Sequence, residues 1–360
     1  MPDPITIRHA RLDAAPALLA LMAEVNARSP HTLHEPGERP TWHGGVNAAE
    51  DLGAFLASGA NALLVAEVDG RPAGTLTATG GRFRCTRGVV TVMLGVLPQH
   101  QGCGVGTRLL AATEAWAQSH GGRRLELTVA EPNRRAHALY RRLGFRDEGR
   151  LRDALRFGDG FCGEHILGKD LSAPDTSEWP PLLFDALPPA PLAGLVIREA
   201  APADAAAYAS YDQAVRRETP FLLRTAEEGL TNAVAARRFL AGQRLDPQRT
   251  TIVAAVDGVL AGTVSVWTGG HRRTAHEAGL GMAVRREYWA SGIGKRLMAA
   301  AEAWARRRGA HRLALWVVGP NLRARRFYAT CGFAEEAVCR RYALIDGRLA
   351  DHVAMGKLLG

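Results

Sequence analysis

The chain has 360 residues, 47% of them hydrophobic and 22% charged, with 10 Phe beside 7 Trp; that composition excludes intrinsic disorder and, at ~150 residues per domain, favours two domains over one. No window reaches the ~18 uninterrupted apolar residues that a bilayer span requires, and the start alternates Ile5 and Ile7 with Arg8, His9 and Arg11 instead of building an apolar signal core, so membrane insertion and secretion are disfavoured and a cytoplasmic location is expected. The net charge of +9 is unevenly spread: residues 1–171 carry 20 basic and 18 acidic side chains, 172–194 none and three, 195–360 25 and 15.

In chain order, alternation predicts strands over 63–67, 73–79 and 89–96, with Asp69-Gly70 a hairpin turn between the first two. Gly106 then opens a helix through Leu109, Leu110, Thr113, Trp116 and Ala117 that stops near Gly121. A strand over 125–129 and a short helix over 134–143 ending at Gly144 follow, and the chain reads as extended from Phe145 to Leu171. Strand, glycine loop, helix and strand make a βαβ unit, which requires a parallel pair in the sheet. Six prolines between Ser172 and Gly194 (Pro174, Pro180, Pro181, Pro188, Pro189 and Pro191) mark a linker, and Trp179 with Leu182, Leu183 and Phe184 makes it apolar enough to lie against a domain.

Sliding the sequence against itself by 188 positions aligns 62–145 with 250–333 without a gap, and 34 of the 84 pairs are identical. The chain is an internal duplication, with domains expected at 1–171 and 195–360, and the period is too long for a solenoid. The five cysteines, Cys85, Cys103, Cys162, Cys331 and Cys339, are odd in number and contain no C-x-x-C pair; neither a disulfide framework nor a metal site is indicated.

Chemistry concentrates in two repeated segments. The first, Gln101-Gly102-Cys103-Gly104-Val105-Gly106-Thr107, returns as Trp289-Ala290-Ser291-Gly292-Ile293-Gly294-Lys295 between a strand and a helix. Glycines there let backbone N–H groups converge on a phosphate at the positive end of a helix, the alternative being a tight turn without a ligand. Neither a Walker loop nor a dinucleotide fold fits the spacing. The second segment runs from Asn133 through Ala136, Leu139, Tyr140 and Gly144 to Phe145, and again from Asn321 through Ala324, Phe327, Tyr328 and Gly332 to Phe333.

In these segments the sequence resembles, twice over, the GNAT superfamily of N-acetyltransferases. The family's Q/R-x-x-G-x-G/A loop is matched by Gln101, Gly104 and Gly106, its N-x-x-A-x-x-[LF]-Y-x-x-x-G-F element by both halves in full, and Trp289 departs where Gln or Arg is expected. The resemblance implies two tandem α/β folds, each a mixed, mostly antiparallel sheet around a central parallel βαβ unit flanked by helices. It implies acetyl-CoA as cofactor, its pyrophosphate on Gln101 to Thr107 and on Ala290, Ser291, Gly292, Ile293, Gly294 and Lys295. Its pantetheine would lie on Leu94, Gly95 and Val96 and on Met282, Ala283 and Val284, with contacts from Asn133 and Asn321 and with Tyr140 and Tyr328 as general acids.

The chemistry calls for these residue types. A neutral amine attacks the thioester, an oxyanion forms, and the departing thiolate of pKa ~8 to 9 is protonated, for which a phenol of pKa ~10 is suitable; each tyrosine could instead be a packed helix residue. A strand N–H aimed at the oxyanion contributes ~2.7 to 4 kcal/mol. Candidate bases are Glu126 and Glu277, whose 188-offset partners are Ala314 and Val89, with a solvated surface role or a water relay as alternatives. His276, beside Glu277, adds a polar group that Gly88 lacks. At pH 7 about one in seven α-amines is neutral against roughly one in 2,500 lysine-type amines, so an α-amine needs no strong base. The leading reading is acetylation of a small-molecule amine (an amino acid, polyamine or antibiotic). Acetylation of a protein N-terminus, or one half acting as a non-catalytic acyl-CoA-binding module, are the alternatives. No nucleic-acid motif supports a DNA or RNA partner, and the oligomeric state is not readable.

Overall fold

Residues 5–33, 35, 38, 48–172, 179 and 190–360 are described in the computed structural model. In chain order the first half runs β1 (Ile5–His9), α1 (Ala15–Arg28), α2 (Ala48–Ala57), β2 (Asn61–Val68), β3 (Arg71–Gly80), β4 (Val89–Val96), α3 (Val105–Ser119), β5 (Arg124–Ala130), α4 (Arg134–Arg142), β6 (Arg146–Phe157) and β7 (Gly160–Asp170). The second half repeats that order as β8 (Val196–Glu199), α5 (Ala205–Glu218), α6 (Ala233–Leu245), β9 (Arg249–Val256), β10 (Val259–Thr268), β11 (Glu277–Val284), α7 (Ile293–Arg307), β12 (Arg312–Val318), α8 (Leu322–Thr330), β13 (Ala334–Ile345) and β14 (Arg348–Leu358). Contacts divide the chain into two units, one of Met1–Arg82, Thr86–Asp175 and His271–Arg273, the other of Phe83–Cys85, Thr176–Gly270 and Thr274–Gly360. Most of the proline-rich linker lies outside the described residues; within the second unit, the Trp179 indole donates to the Leu349 carbonyl at 2.9 Å. No described helix is long and apolar enough to cross a membrane.

Within the first unit the strands pair in the order β1-β2-β3-β4-β5-β7-β6, antiparallel except for β4 with β5. The second unit gives β8-β9-β10-β11-β12-β14-β13, with β11 and β12 parallel. Each is the expected mixed sheet. The parallel pairs are short: Val89 to Thr91 meet Arg124 to Glu126, and Glu277 to Gly279 meet Arg312 to Ala314. Beyond those registers the two central strands are not paired among the described residues, which leaves a slot at the carboxyl end of β4 and of β11.

Local chemistry accounts for the elements. Asp69 and Gly70 hold φ of 51° and 72°, and Asp257 and Gly258 48° and 81°, the left-handed pair that a two-residue hairpin requires. On α3 the residues Leu109, Leu110, Thr113, Trp116 and Ala117 recur at helical spacing and are buried, as are Leu297, Met298, Ala301, Trp304 and Ala305 on α7. The two-residue period of a strand splits the core between faces. Leu64 and Ala66 pack with α3 while Leu63 and Val65 pack with α1 and α2, and Ile252 and Ala254 pack with α7 while Val253 and Ala255 pack with α5 and α6.

Three expectations change. The helix begins at Val105 instead of Gly106, because Gly104, at φ 92°, is its left-handed N-cap. The extended run after Phe145 is a hairpin, β6 and β7, turned at Gly158 with φ 59°. Outside the gapless repeat, for which no helix is predicted above, the chain forms α1, α2, α5 and α6.

Candidate active site

In the second unit a cleft of about 450 Å3 gathers residues from four places. The end of β11, paired with β10 but open on its β12 side, contributes Met282, Ala283 and Val284; the glycine segment contributes Trp289, Ala290, Gly292, Gly294 and Lys295; α8 and its cap contribute Asn321, Arg323 and Tyr328. The fourth wall is apolar, Val215 and Phe221 from α5 and the loop after it, beside Glu218. Nine of the sequence-derived positions of the second half thus share one space. Ser291 is turned into the loop, its hydroxyl donating to the Tyr288 carbonyl at 2.6 Å, and the Ile293 side chain is fully buried in the core, so a ligand would meet Ile293 through its backbone alone.

The glycine segments have the same geometry in both halves. Gly104 and Gly292 hold φ of 92° and 91°, no side chain caps α3 or α7, and a Cβ at either glycine would meet nothing within 4 Å. The first N–H groups of each helix are therefore without intrahelical partners and approachable by an anion. Gly106 and Gly294 act differently: a Cβ there would come within 3.2 Å of Leu139 and 3.1 Å of Phe327, so these glycines let α4 and α8 close on the loop. Gly102 has φ 85°, and Ala290 takes the same left-handed conformation at φ 62° although it carries a Cβ. Val105 is buried, Thr107 half-buried, and Cys103 exposed.

Trp289 preserves what Gln101 does. The Gln101 amide donates to the Val96 carbonyl at 3.0 Å and the Trp289 indole to the equivalent Val284 carbonyl at 2.7 Å. The equivalent arginines follow: Arg135 reaches Gln101 at 3.4 Å, and Arg323 stands 4.3 Å over the Trp289 ring. A planar cation on an indole replaces a polar contact, and the loop stays anchored to the strand end.

Asn133 and Asn321 are N-caps, each side-chain oxygen accepting from the backbone N–H three residues on at 3.2 Å. Tyr140 and Tyr328 are buried, their rings edge-on to Phe145 and Phe333. Burial pushes the Tyr140 phenol up to about 12 and raises Tyr328 as well. Glu126 and Glu277 are not free surface carboxylates. Burial raises both pKa values against the opposing pull of Arg124 and Arg312. Glu126 accepts from the Thr91 hydroxyl at 3.0 Å, and Glu277 pairs with Arg312 at 2.9 Å. Glu277 is the first residue of β11, five residues and about 17 Å of strand from Met282, and lies outside the cleft lining. His276 is buried one residue before it.

The family model described as acetyltransferase (GNAT) family matches residues 30–145 and again residues 215–333, more than half of the sequence. The chain belongs to the GNAT family. Among solved structures, a GNAT acetyltransferase from Streptococcus pneumoniae is 32% identical, with a TM-score of 0.44, over 46% of this chain and 99% of its own. The ribosomal-protein-alanine N-acetyltransferase of Brucella melitensis is 22% identical over 46% of this chain and 99% of its own, TM-score 0.39. A GNAT phosphinothricin acetyltransferase from Sinorhizobium meliloti, in complex with acetyl-CoA, is 19% identical over 51% and 99%, TM-score 0.41. Each spans about half of this chain. No curated protein matches the chain.

Sequence reasoning missed two features of this GNAT site. Tyr211, on α5, donates to the Ala283 carbonyl at 2.6 Å and fixes the strand end that floors the cleft; α5 lies outside the gapless repeat, so no matched pair pointed to it. The other is a buried ion cluster, Arg124 with Glu148 and Arg312 with Glu336. Its signal was present, since Glu148 and Glu336 are also 188 apart, three residues beyond the end of the alignment.

Proposed function

We propose that the chain is an acetyl-CoA-dependent N-acetyltransferase whose acceptor is the primary amine of a small molecule. The observation that carries this reading is the cleft of the second unit, which unites a strand end open on one edge, an uncapped helix N-terminus and a buried tyrosine. Acetyl-CoA supplies the activated thioester. The α3 and α7 N-termini would hold its pyrophosphate through backbone N–H groups, and the strand ends 94–96 and 282–284 its pantetheine amides.

The amine attacks the thioester carbonyl, and charge on the oxygen is met by a backbone N–H on the open edge of the strand end. Tyr140 or Tyr328 donates its proton to the departing thiolate. A buried phenol with a raised pKa keeps that proton until it is needed, and the thiolate, formed in the same desolvated cleft, is raised with it. The proton released by the amine passes to water, since Glu277 lies outside the cleft and Glu126 and Glu277 are engaged with Arg124 and Arg312.

The test is thiol release from acetyl-CoA by the whole chain across a panel of amines, beside calorimetric titration of the cofactor. The expected result is two acetyl-CoA sites per chain and turnover with acceptors that contain no polypeptide. Turnover restricted to peptide N-termini would replace the acceptor class, and binding without thiol release from any amine would make the chain an acyl-CoA-binding module.

A further inference from the structure

We propose that His137, Asp147 and His165 form a binding site for one divalent transition-metal ion of the zinc class. The three residues come from α4, β6 and β7 of the first unit, and their ligating atoms all lie within 4.8 Å of one another. His137 Nε2 stands 2.6 Å from Asp147 Oδ1, and the two imidazole rings are 4.9 Å apart between centroids.

The duplicate supplies the control that separates a metal site from a helix clamp. At the same positions the second half carries Arg325 and Glu335, joined at 2.7 and 2.9 Å, which ties α8 to β13. A clamp therefore needs one cation and one carboxylate and nothing from the third strand. There the second half has Val353, whereas the first half places a second imidazole, His165, against the pair. Among the described residues neither ring nitrogen of His165 has a hydrogen-bond partner. Arg141 pairs with the other carboxylate oxygen, Oδ2, which leaves Oδ1 as the ligand and holds it from behind, as outer partners of metal ligands do. The adjacent Glu131 is matched by Arg150 at 2.6 Å.

Two imidazoles and one carboxylate suit zinc, cobalt or nickel, whereas calcium and magnesium select all-oxygen sets. With bonds of about 2.0 to 2.2 Å, ligand atoms around one ion stand about 3 to 3.5 Å apart. The half-exposed side chains reach that spacing by small rotations, and water completes the sphere. An ion there would pin α4, three residues before Tyr140, to β7.

The experiment is titration of the whole chain with Co2+, followed by its visible ligand-field band, and with Zn2+ by calorimetry. One ion per chain is expected. His165→Val, the residue the second half already uses, should weaken binding at least about tenfold while leaving the metal-free melting temperature unchanged. His137→Arg should do the same and keep the clamp. Absence of the cobalt band and of zinc heat in the unaltered chain, or affinity undiminished in both variants, overturns the proposal.

Discussion

Arg124 and Arg312 occupy equivalent places in the two halves, each 1% exposed, and each is met by two carboxylates of which only one is shared. Glu148 and Glu336 correspond, reaching their arginines from β6 and β13. The second carboxylate differs. In the first half it is Glu126, two residues along the arginine's own strand, and in the second it is Glu277, its register partner on the neighbouring strand. What the two halves have in common is the charge balance around a buried guanidinium, an arrangement that low dielectric makes costly to leave incomplete. Gly168 and Gly356 make room for it, since a Cβ would come within 2.3 Å of Arg124 in one and 2.5 Å of Glu336 in the other. Glu126 and Glu277 therefore fail to align as residues and still serve equivalent arginines.

The strongest way to break the equivalence of the halves is at the acids. Tyr140→Phe and Tyr328→Phe each delete one oxygen and keep the ring, so in a half that turns over kcat should fall by ~10² to 10⁴ with cofactor affinity little changed. Single-turnover thiol release measures this. If neither variant nor the double variant slows release, the tyrosines are packing residues and the thiolate takes its proton from water.

Next in size are the buried pairs. Glu148→Gln or Glu336→Gln leaves a guanidinium short of charge in an apolar setting, and each should destabilise by about 3 to 5 kcal/mol. Equal losses of melting temperature in the two variants would support the parallel, and an indifferent Glu336→Gln would show that Glu277 alone balances Arg312.

Acid should separate the halves. His352 is buried between Tyr342 and Trp316, and burial pulls its pKa down to about 4, whereas the first half has Glu164 in that place. An unfolded histidine takes up a proton near pH 6.5 and the folded one only near 4. The stability held by neutral His352 is thus present above pH 6.5 and lost as pH falls toward 4, on the order of 3 kcal/mol. His352→Phe should shrink the fall in melting temperature between pH 6.5 and 4.5, and an unchanged fall would assign acid sensitivity elsewhere.

The smallest effect is at the loops. Ala290→Gly should stabilise by about 1 kcal/mol, because a left-handed alanine is strained where the first half uses Gly102, and thermal unfolding checks the sign.

Much of this was legible in the sequence because backbone geometry forces residue type. Asp-Gly turns, the left-handed Gly104 and Gly292, and the tyrosine four residues after the helix alanine all announce themselves by position. What was not legible is held together across the sheet. Arg124 and Glu148 are 24 residues apart and Glu277 and Arg312 are 35 apart, and they meet only after strand register is set. The helices α1 and α5 escaped because they lie outside the gapless repeat; α5 lines the cleft with Val215 and, one turn earlier, holds its floor strand through Tyr211. The solvated alternative for Glu126 and Glu277 fails for the same reason, since the burial of a strand carboxylate depends on its neighbours.

Trp289 has an optical consequence. Its indole lines one cleft, donates to Val284 and lies under Arg323, while Gln101 absorbs no light in the corresponding place. A ligand entering the second half will alter the polarity and quenching of that ring, whereas the same ligand entering the first half disturbs no indole of its own loop. Tryptophan emission, with Trp289→Gln as the blank, therefore isolates one of the two affinities, and calorimetry, which counts both, yields the other by difference.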